Sequence, residues 1–553
     1  MEQTDDNSSI TAFAAFMGAA AQWPDRPFLH IPATAAAAYS DSAVGISYSQ
    51  AERQILALQA PYRAAGYGLG HRIALLLENR AESFLHWFAL NGLGVSVVPI
   101  NGEMSTEEMS YLLKHSESCL GVTVAEKQAS MEEAVSRADL SMPIRVHDEL
   151  GALPSPPQSA VIGEPDAQTE CALLYTSGST GKPKGCILNN EYFLYAGRWY
   201  RDLGGLCDLA RGVERLITPL PMVHMNAMAA STMGMVMTGG CVIQLDRFHP
   251  SSWWQSVRDS GATVLHYLGV MPAMLLNAPT SAADDFSDQI KFAFGAGVNP
   301  KHHAPFEARF GFPLIEAWAM TESGIGGAVI ANREPRHVGS SCFGKPADVL
   351  EYRLVDEAGV EVAAGEQGEL LVRARGEDPW AGFFSGYLKN EEATAEARAD
   401  GWLHTGDVVR VGPDGSMHFV DRRKNVVRRS GENISALEVE ATLSECEEVD
   451  NVVVTPVPDD IRGDEVFAAV VLKPGLTGSI KLANRLFDHC YQTLAYYKAP
   501  GYIAMVSELP LTASGKPQRG EIKKLAAAWV ERGECVNLCG RKRKQATARA
   551  QGR

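Results

Sequence analysis

Cysteine, basic charge and long uncharged runs are all scarce in this sequence. Ten cysteines are scattered over 553 residues, none as C-x-x-C. The closest pair, Cys535 and Cys539, has no His or Cys cluster beside it, which excludes a disulfide framework and a thiolate zinc site. Scattered thiols suit a reducing cytosol, so a cytoplasmic protein is expected. Asp and Glu (66) outnumber Lys and Arg (50) for a net charge of −16, which argues against the whole chain wrapping nucleic acid or an anionic membrane. The start, MEQTDDNSS, is acidic where a secretory signal needs a basic residue and an apolar run. One stretch, 225–245, has no charge over a membrane-like length, but Gly239-Gly240 splits it into a Met/Ala-rich half and a β-branched half. The pattern predicts a buried helix followed by a buried strand, not a membrane span.

What is present is a large apolar fraction, 46%, enough for extensive cores and too much for a disordered chain. Charge is unevenly placed: residues 541–553 (RKRKQATARAQGR) carry six cations and no acid. They read as a basic, disordered tail.

Helix and strand signals alternate from the start. Residues 72–79 (RIALLLEN) predict a buried strand, 81–93 a helix and 95–100 (VSVVPI) another strand. Ser105 and Glu108 have capping-box spacing. The rhythm continues through 171–176, 262–270, 290–297 and 313–320, an α/β pattern of sheets covered by helices. From about 349 the period changes to strict alternation, with Asp414-Gly415 at a hairpin turn, which predicts an antiparallel region. Smaller helix–strand alternation resumes after 424, with a second capping-box spacing at Ser435 and Glu438. The boundaries expected are 1–423, 424–540 and the tail 541–553.

Residues 175–185 read YTSGSTGKPKG directly after a predicted buried strand. Glycines let backbone N–H groups approach phosphate oxygens, hydroxyls add donors, and Lys182 and Lys184 add charge. It is not a Walker A loop, because Pro183 follows Gly181-Lys182 and Thr176 stands where the first glycine belongs.

This loop resembles the phosphate loop of the adenylate-forming, or AMP-binding, superfamily, and further motifs resemble that family in order: FGAGV (294–298), WAMTE (318–322), GWLHTGD (401–407), DRRKNVVRRSGENIS (421–435) and PLTASGK (510–516). The resemblance implies an α/β fold: a large N-terminal region of two α/β subdomains plus a β-barrel-like one, and a small mobile α+β C-terminal domain. It implies ATP, Mg²⁺ and coenzyme A as cofactor and co-substrates. Thr176, Ser177, Gly178, Ser179, Thr180, Gly181, Lys182 and Lys184 would cradle phosphates. Gly295, Ala296, Gly297 and Trp318 would frame the adenine, and Asp407 and Arg422 the ribose. Thr321 would donate to the α-phosphate, Glu322 would bind Mg²⁺, and Lys516 would stabilise the transferring charge. Lys424 would be a hinge, and Gly431 and Glu432 would come from a loop shaping the pantetheine channel. The sequence departs from the family with Trp318 for Tyr, Ala319 for Gly and Ala296 for Gly.

The segment His224-Met225 lacks the carboxylate that holds the amino group in peptide-synthetase relatives, and His224 resembles the gate of acyl-CoA synthetases. Met225, Asn226, Tyr267, Gly269, Val270, Gly295 and Trp318 are the implied acyl pocket. The expectation is an AMP-forming acid–thiol ligase, an acyl-CoA synthetase closest in wording to the crotonobetaine/carnitine–CoA ligase branch. It would act on a small-molecule carboxylic acid, with no nucleic acid and no membrane span. The alternatives are a stand-alone enzyme loading a carrier protein, or an inactive nucleotide-binding homologue.

Overall fold

The computed structural model describes residues 11–176, 182–356, 358–422, 426–510 and 517–542, with Asp421, Arg422 and Leu437 described by backbone alone. These residues fall into two compact units. One comprises those within Met1–Gly102, Leu113–Thr176 and Gly185–Arg423; the other, those within Glu103–Leu112, Ser177–Lys184 and Lys424–Arg553.

In the first unit, an eight-stranded sheet runs Val329–Ile330, Leu314–Trp318, Phe292–Ala296, Val264–Leu268, Arg215–Thr218, Cys241–Gln244, Pro27–Ile31, Val44–Ser47. Its inner strands are parallel and only its outermost pairs antiparallel. A seven-stranded sheet runs Gly386–Tyr387, Lys184–Asn189, Glu170–Thr176, Ser96–Pro99, Arg72–Leu76, Leu120–Thr123, Ile144–Val146. Parallel strands need both faces covered. The helix Ala81–Asn91 accordingly has every residue buried except Glu82. The expected antiparallel region is a five-stranded sheet in the order Cys342–Gly344, Met417–Arg422, Leu403–Val411, Gln367–Ala374, Leu350–Val355.

The first helix, Ala12–Gln22, is docked by two buried asparagines that serve its orphan amides. Asn190 Oδ1 accepts from Ala12 N (3.0 Å) and from Asn91 Nδ2 (2.8 Å), while Asn91 Oδ1 accepts from Phe13 N (2.9 Å). Phe16 of that helix then packs on Phe28, Tyr48 and Phe88.

The charge-free run 225–245 is a π-helix, Asn226–Thr232, continuing as the α-helix Met233–Thr238 and, after Gly239 (φ +68), the strand Cys241–Gln244. The π turn has a local partner in side-chain chemistry: the Ser231 and Thr232 hydroxyls donate to the carbonyls of Asn226 and Ala227, five residues back. Among the described residues no helix is long and apolar enough to cross a membrane.

The second unit has a six-stranded sheet of Glu432–Ser435, Val426–Arg429, Gly463–Leu472, Tyr502–Val506 and Val536–Asn537, with Val449–Asp459 also paired to Gly463–Leu472. The two capping-box spacings diverge. Ser105 and Glu108 cap reciprocally (2.8 and 3.2 Å), whereas Ser435 caps the Glu438 amide (3.3 Å) but the Glu438 side chain turns to Lys498 (2.9 Å). Glu108 reaches the same lysine through its other oxygen, Oε1, while its Oε2 keeps the cap.

Arg541 and Lys542, the first two residues of the basic run, pack on this unit. Strand Val536–Asn537 and the turn Cys539–Arg541 carry the chain back over the sheet. Arg541 bonds Asn484 and Asp488 (2.7 Å each), and Lys542 is buried against Glu465. Glu465, itself fully buried, also accepts from Arg429 Nε (2.8 Å). Burial holds the Lys542 ammonium below its ordinary value, at about 8. Removing one partner of such a group leaves charge poorly compensated. Lys542→Met is expected to destabilise this unit by about 3 kcal/mol, read in the full chain as faster amide exchange along Gly463–Leu472; unchanged exchange there would show that Glu465 does not need Lys542.

Candidate functional site

Three adjacent parallel strands end level. The register Tyr267↔Gly295↔Glu316 aligns Val264–Leu268, Phe292–Ala296 and Leu314–Trp318, and the crevice outside such carboxyl ends is where open α/β sheets bind ligands. Two glycines permit the convergence. A Cβ on Gly295 would lie 2.3 Å from the Tyr267 carbonyl oxygen, and one on Gly269 would lie 1.7 Å from that of Gly297. The left-handed conformation of the FGAGV loop falls on Gly297 (φ +77), so Ala296 replaces a glycine at no conformational cost.

Glu316 fixes this ledge. Its buried carboxylate accepts from Gly297 N (3.0 Å) and Val298 N (2.8 Å). The motif reading missed Glu316; the available signal was a lone acid inside the apolar run PLIEAWAM. Two residues on, the Trp318 indole donates Nε1–H to Asp407 Oδ2 at 2.8 Å, and both side chains are buried. Asp407 is fully enclosed, and its backbone pairs with Arg422 across the antiparallel hairpin. Two separate motifs, WAMTE and GWLHTGD, therefore meet through one hydrogen bond. Tryptophan has a donor at the ring edge in place of the usual tyrosine hydroxyl.

Glu322 is the second buried carboxylate. Its Oε1 accepts from Tyr387 Oη (2.8 Å) and from Thr176 Oγ1 (3.3 Å). Burial, then the Glu322 charge, raises the Tyr387 hydroxyl far above the phenol range, so it remains a donor. Among the described residues no donor reaches Oε2 of Glu322. Thr321 is half-buried, and its carbonyl accepts from Tyr192 Oη (3.1 Å). Tyr387 carried no signal in the sequence, because its strand, Gly386–Tyr387, is two residues long.

His224 is half-buried in the turn before the π-helix, its carbonyl accepting from Met228 N (3.2 Å). Met225 and Asn226 follow it, equally half-buried. In the second unit, Lys182 lies 5.4 Å from the Tyr111 ring centre, and Lys184 is half-buried. There, Ser430 (φ +52) and Gly431 (φ +89) close the hairpin of Val426–Arg429 and Glu432–Ser435, the two left-handed residues of a type I′ turn. The structure thus brings together Thr176 with Glu322, Trp318 with Asp407, and Gly295–Gly297 with Glu316. Ser177, Gly178, Ser179, Thr180, Gly181, Lys424 and Lys516 lie outside the described residues, as does the side chain of Arg422.

Crotonobetaine/carnitine–CoA ligase of Shigella sonnei is 29% identical over 493 residues, 86% of this chain and 93% of that protein. Sulfoacetate–CoA ligase of Cupriavidus necator is 31% identical over 511 residues, 90% of this chain and 95% of that protein. Among solved structures, an o-succinylbenzoate CoA synthetase from Bacillus subtilis has the same fold, with a TM-score of 0.78, 24% identity and coverage of 92% of this chain and 98% of that one. The family model for the AMP-binding enzyme C-terminal domain matches residues 438–516. The model for the AMP-binding enzyme itself matches residues 16–388, more than half the sequence, and the chain belongs to that family.

Proposed function

We propose that the protein is an AMP-forming acid–CoA ligase, which joins a small or medium carboxylic acid to ATP as an acyl-adenylate and then passes the acyl group to coenzyme A. The observation that carries this reading is the pairing of Trp318 with Asp407 beside the Glu316-fixed ledge, a fit for an adenosine whose ribose takes the carboxylate. Similar proteins, named as ligases of carnitine or crotonobetaine and of sulfoacetate with CoA, support a short acid as substrate.

In this reading Asp407 accepts the vicinal ribose hydroxyls while the indole N–H holds its orientation. The ledge of Gly295, Ala296 and Gly297 offers backbone to the base. Thr176 and the glycine- and hydroxyl-rich residues 177–181 after it take the triphosphate. Glu322, anchored through Oε1, presents Oε2 as a single hard ligand, which fits a Mg²⁺ ion that otherwise binds phosphate oxygens. Bound there, the ion would neutralise phosphate charge. Lys516 would stabilise the charge developing between acid and α-phosphate, an electrostatic role in a reaction that needs no enzyme nucleophile. His224 would gate the acyl pocket, and Gly431 would allow close approach of the pantetheine arm.

The reading is tested by AMP release across short aliphatic, aryl and betaine-like acids, which should require both acid and CoA. Lys516→Ala should abolish acid-dependent ATP–pyrophosphate exchange yet still form thioester from supplied acyl-AMP; full exchange in that variant would refute the assigned role. Trp318→Phe keeps the ring and deletes the donor to a buried carboxylate, a loss of about 1.5 kcal/mol or more. Calorimetric titration should then find ATP bound about tenfold more weakly, and unchanged affinity would mean that the indole does not orient Asp407.

A further inference from the structure

The mechanism above leaves one buried polar network unused. His266 lies in the middle of Val264–Leu268, fully buried, with its ring packed on Phe294 (4.8 Å between centres) and Tyr200 (5.4 Å). Its Nε2 bonds the Tyr200 hydroxyl (2.8 Å). Its Nδ1 bonds both Ser231 Oγ (2.8 Å) and Asn226 Oδ1 (3.2 Å). Burial drives its pKa down to about 3, so the ring is neutral and has one N–H.

The tautomer follows from the hydrogen count. The Tyr200 hydroxyl is fully buried and His266 Nε2 is its one hydrogen-bond partner among the described residues, so its hydrogen goes to Nε2. Nδ1 therefore has the proton, and Nε2 accepts from Tyr200. An N–H at Nδ1 requires the oxygen of the Asn226 amide to face it, which turns the NH₂ group the other way. Among the described residues that NH₂ group has no acceptor.

Its position gives it a use. Strand alternation puts Leu268 and Ala296 on the same face as His266 and Phe294, two residues nearer the carboxyl ends, and both are half-buried there. Asn226 is half-buried and opens the π-helix directly after His224 and Met225. The amide is thus held on one side by a buried aromatic network, and the residue keeps partial exposure beside the strand ends.

We propose that Asn226, aimed by His266, donates its NH₂ group to the far end of the acid and so selects acids carrying an oxygen acceptor away from the reacting carboxylate. This inference rests on the ligase reading. An apolar acid would leave a desolvated N–H pair unmet, and a site built around a hydrogen bond rejects the analogue that lacks it. A quaternary ammonium facing the same donors would also be disfavoured.

The test uses the full-length protein and pairs of acids of equal size, one with a distal carbonyl oxygen and one with a methyl group in its place, such as 4-oxopentanoate against 4-methylpentanoate, over three chain lengths. CoA-dependent AMP release gives kcat/KM for each. Wild type should prefer the oxygen-bearing acid of its best pair by about tenfold or more. Asn226→Leu should erase or reverse that preference. His266→Phe, which keeps the ring packing, should reduce it similarly, and the double variant should add nothing further, the sign of residues acting as one unit. ATP affinity, unchanged in every variant, reports that each has folded.

A wild-type ratio near one, or an Asn226→Leu variant that slows both acids equally, would overturn the inference while leaving the ligase reading standing. A His266→Phe variant with the wild-type ratio would overturn the aiming role. Wild type silent on every acid, with or without CoA, would overturn the ligase reading itself and this inference with it.

Discussion

The level ending of three parallel strands is the constraint on which the rest of the first unit's chemistry depends. Backbones at Gly295 and Gly269 approach so closely that a β-carbon would sit within 2.3 Å and 1.7 Å of carbonyl oxygens. That closeness lets the loop after Phe292–Ala296 and the turn after Val264–Leu268 share one edge of the sheet. Close packing of backbone on backbone leaves polar groups that must be satisfied in place. Glu316 does so for two amides, and because it stands two residues before Trp318 it also ties the ledge to the aromatic beside it.

Around that edge, three buried carboxylates each accept from neutral donors. Asp407 has an indole N–H, Glu322 a phenol and a threonine hydroxyl, and Glu316 two backbone amides. Such donors fix the orientation of a carboxylate. The second unit follows a different rule. Its buried carboxylate Glu465 is matched by Arg429 and Lys542, a full ionic pairing that suits a structural role.

The α/β alternation, the antiparallel stretch after residue 349 and the order of the motifs were legible because each depends on local pattern: apolar period, turn residues and glycine spacing. Glu316, Tyr387 and the His266–Asn226 pair were not, because their roles arise from contacts across strands that no local pattern encodes. Ser435 and Glu438 show the limit in miniature. Their spacing is that of a reciprocal cap, yet a buried lysine sixty residues on takes the glutamate. Lys542 shows it again: a basic run reads as a solvated tail until a distant buried acid draws its second residue inside.

By itself, the sequence determined an α/β chain with the ordered motifs of the AMP-binding family. Hydrophobic period and glycine placement act over a few residues and need no partner. Tertiary structure alone decided which face of each functional side chain is spoken for. It placed the Trp318 donor on Asp407, left Oε2 of Glu322 without a donor among the described residues, and set Asn226 Oδ1 against His266. Hydrogen-bond saturation inside a low-dielectric interior is a property of neighbours, and neighbours are set by strand register and packing.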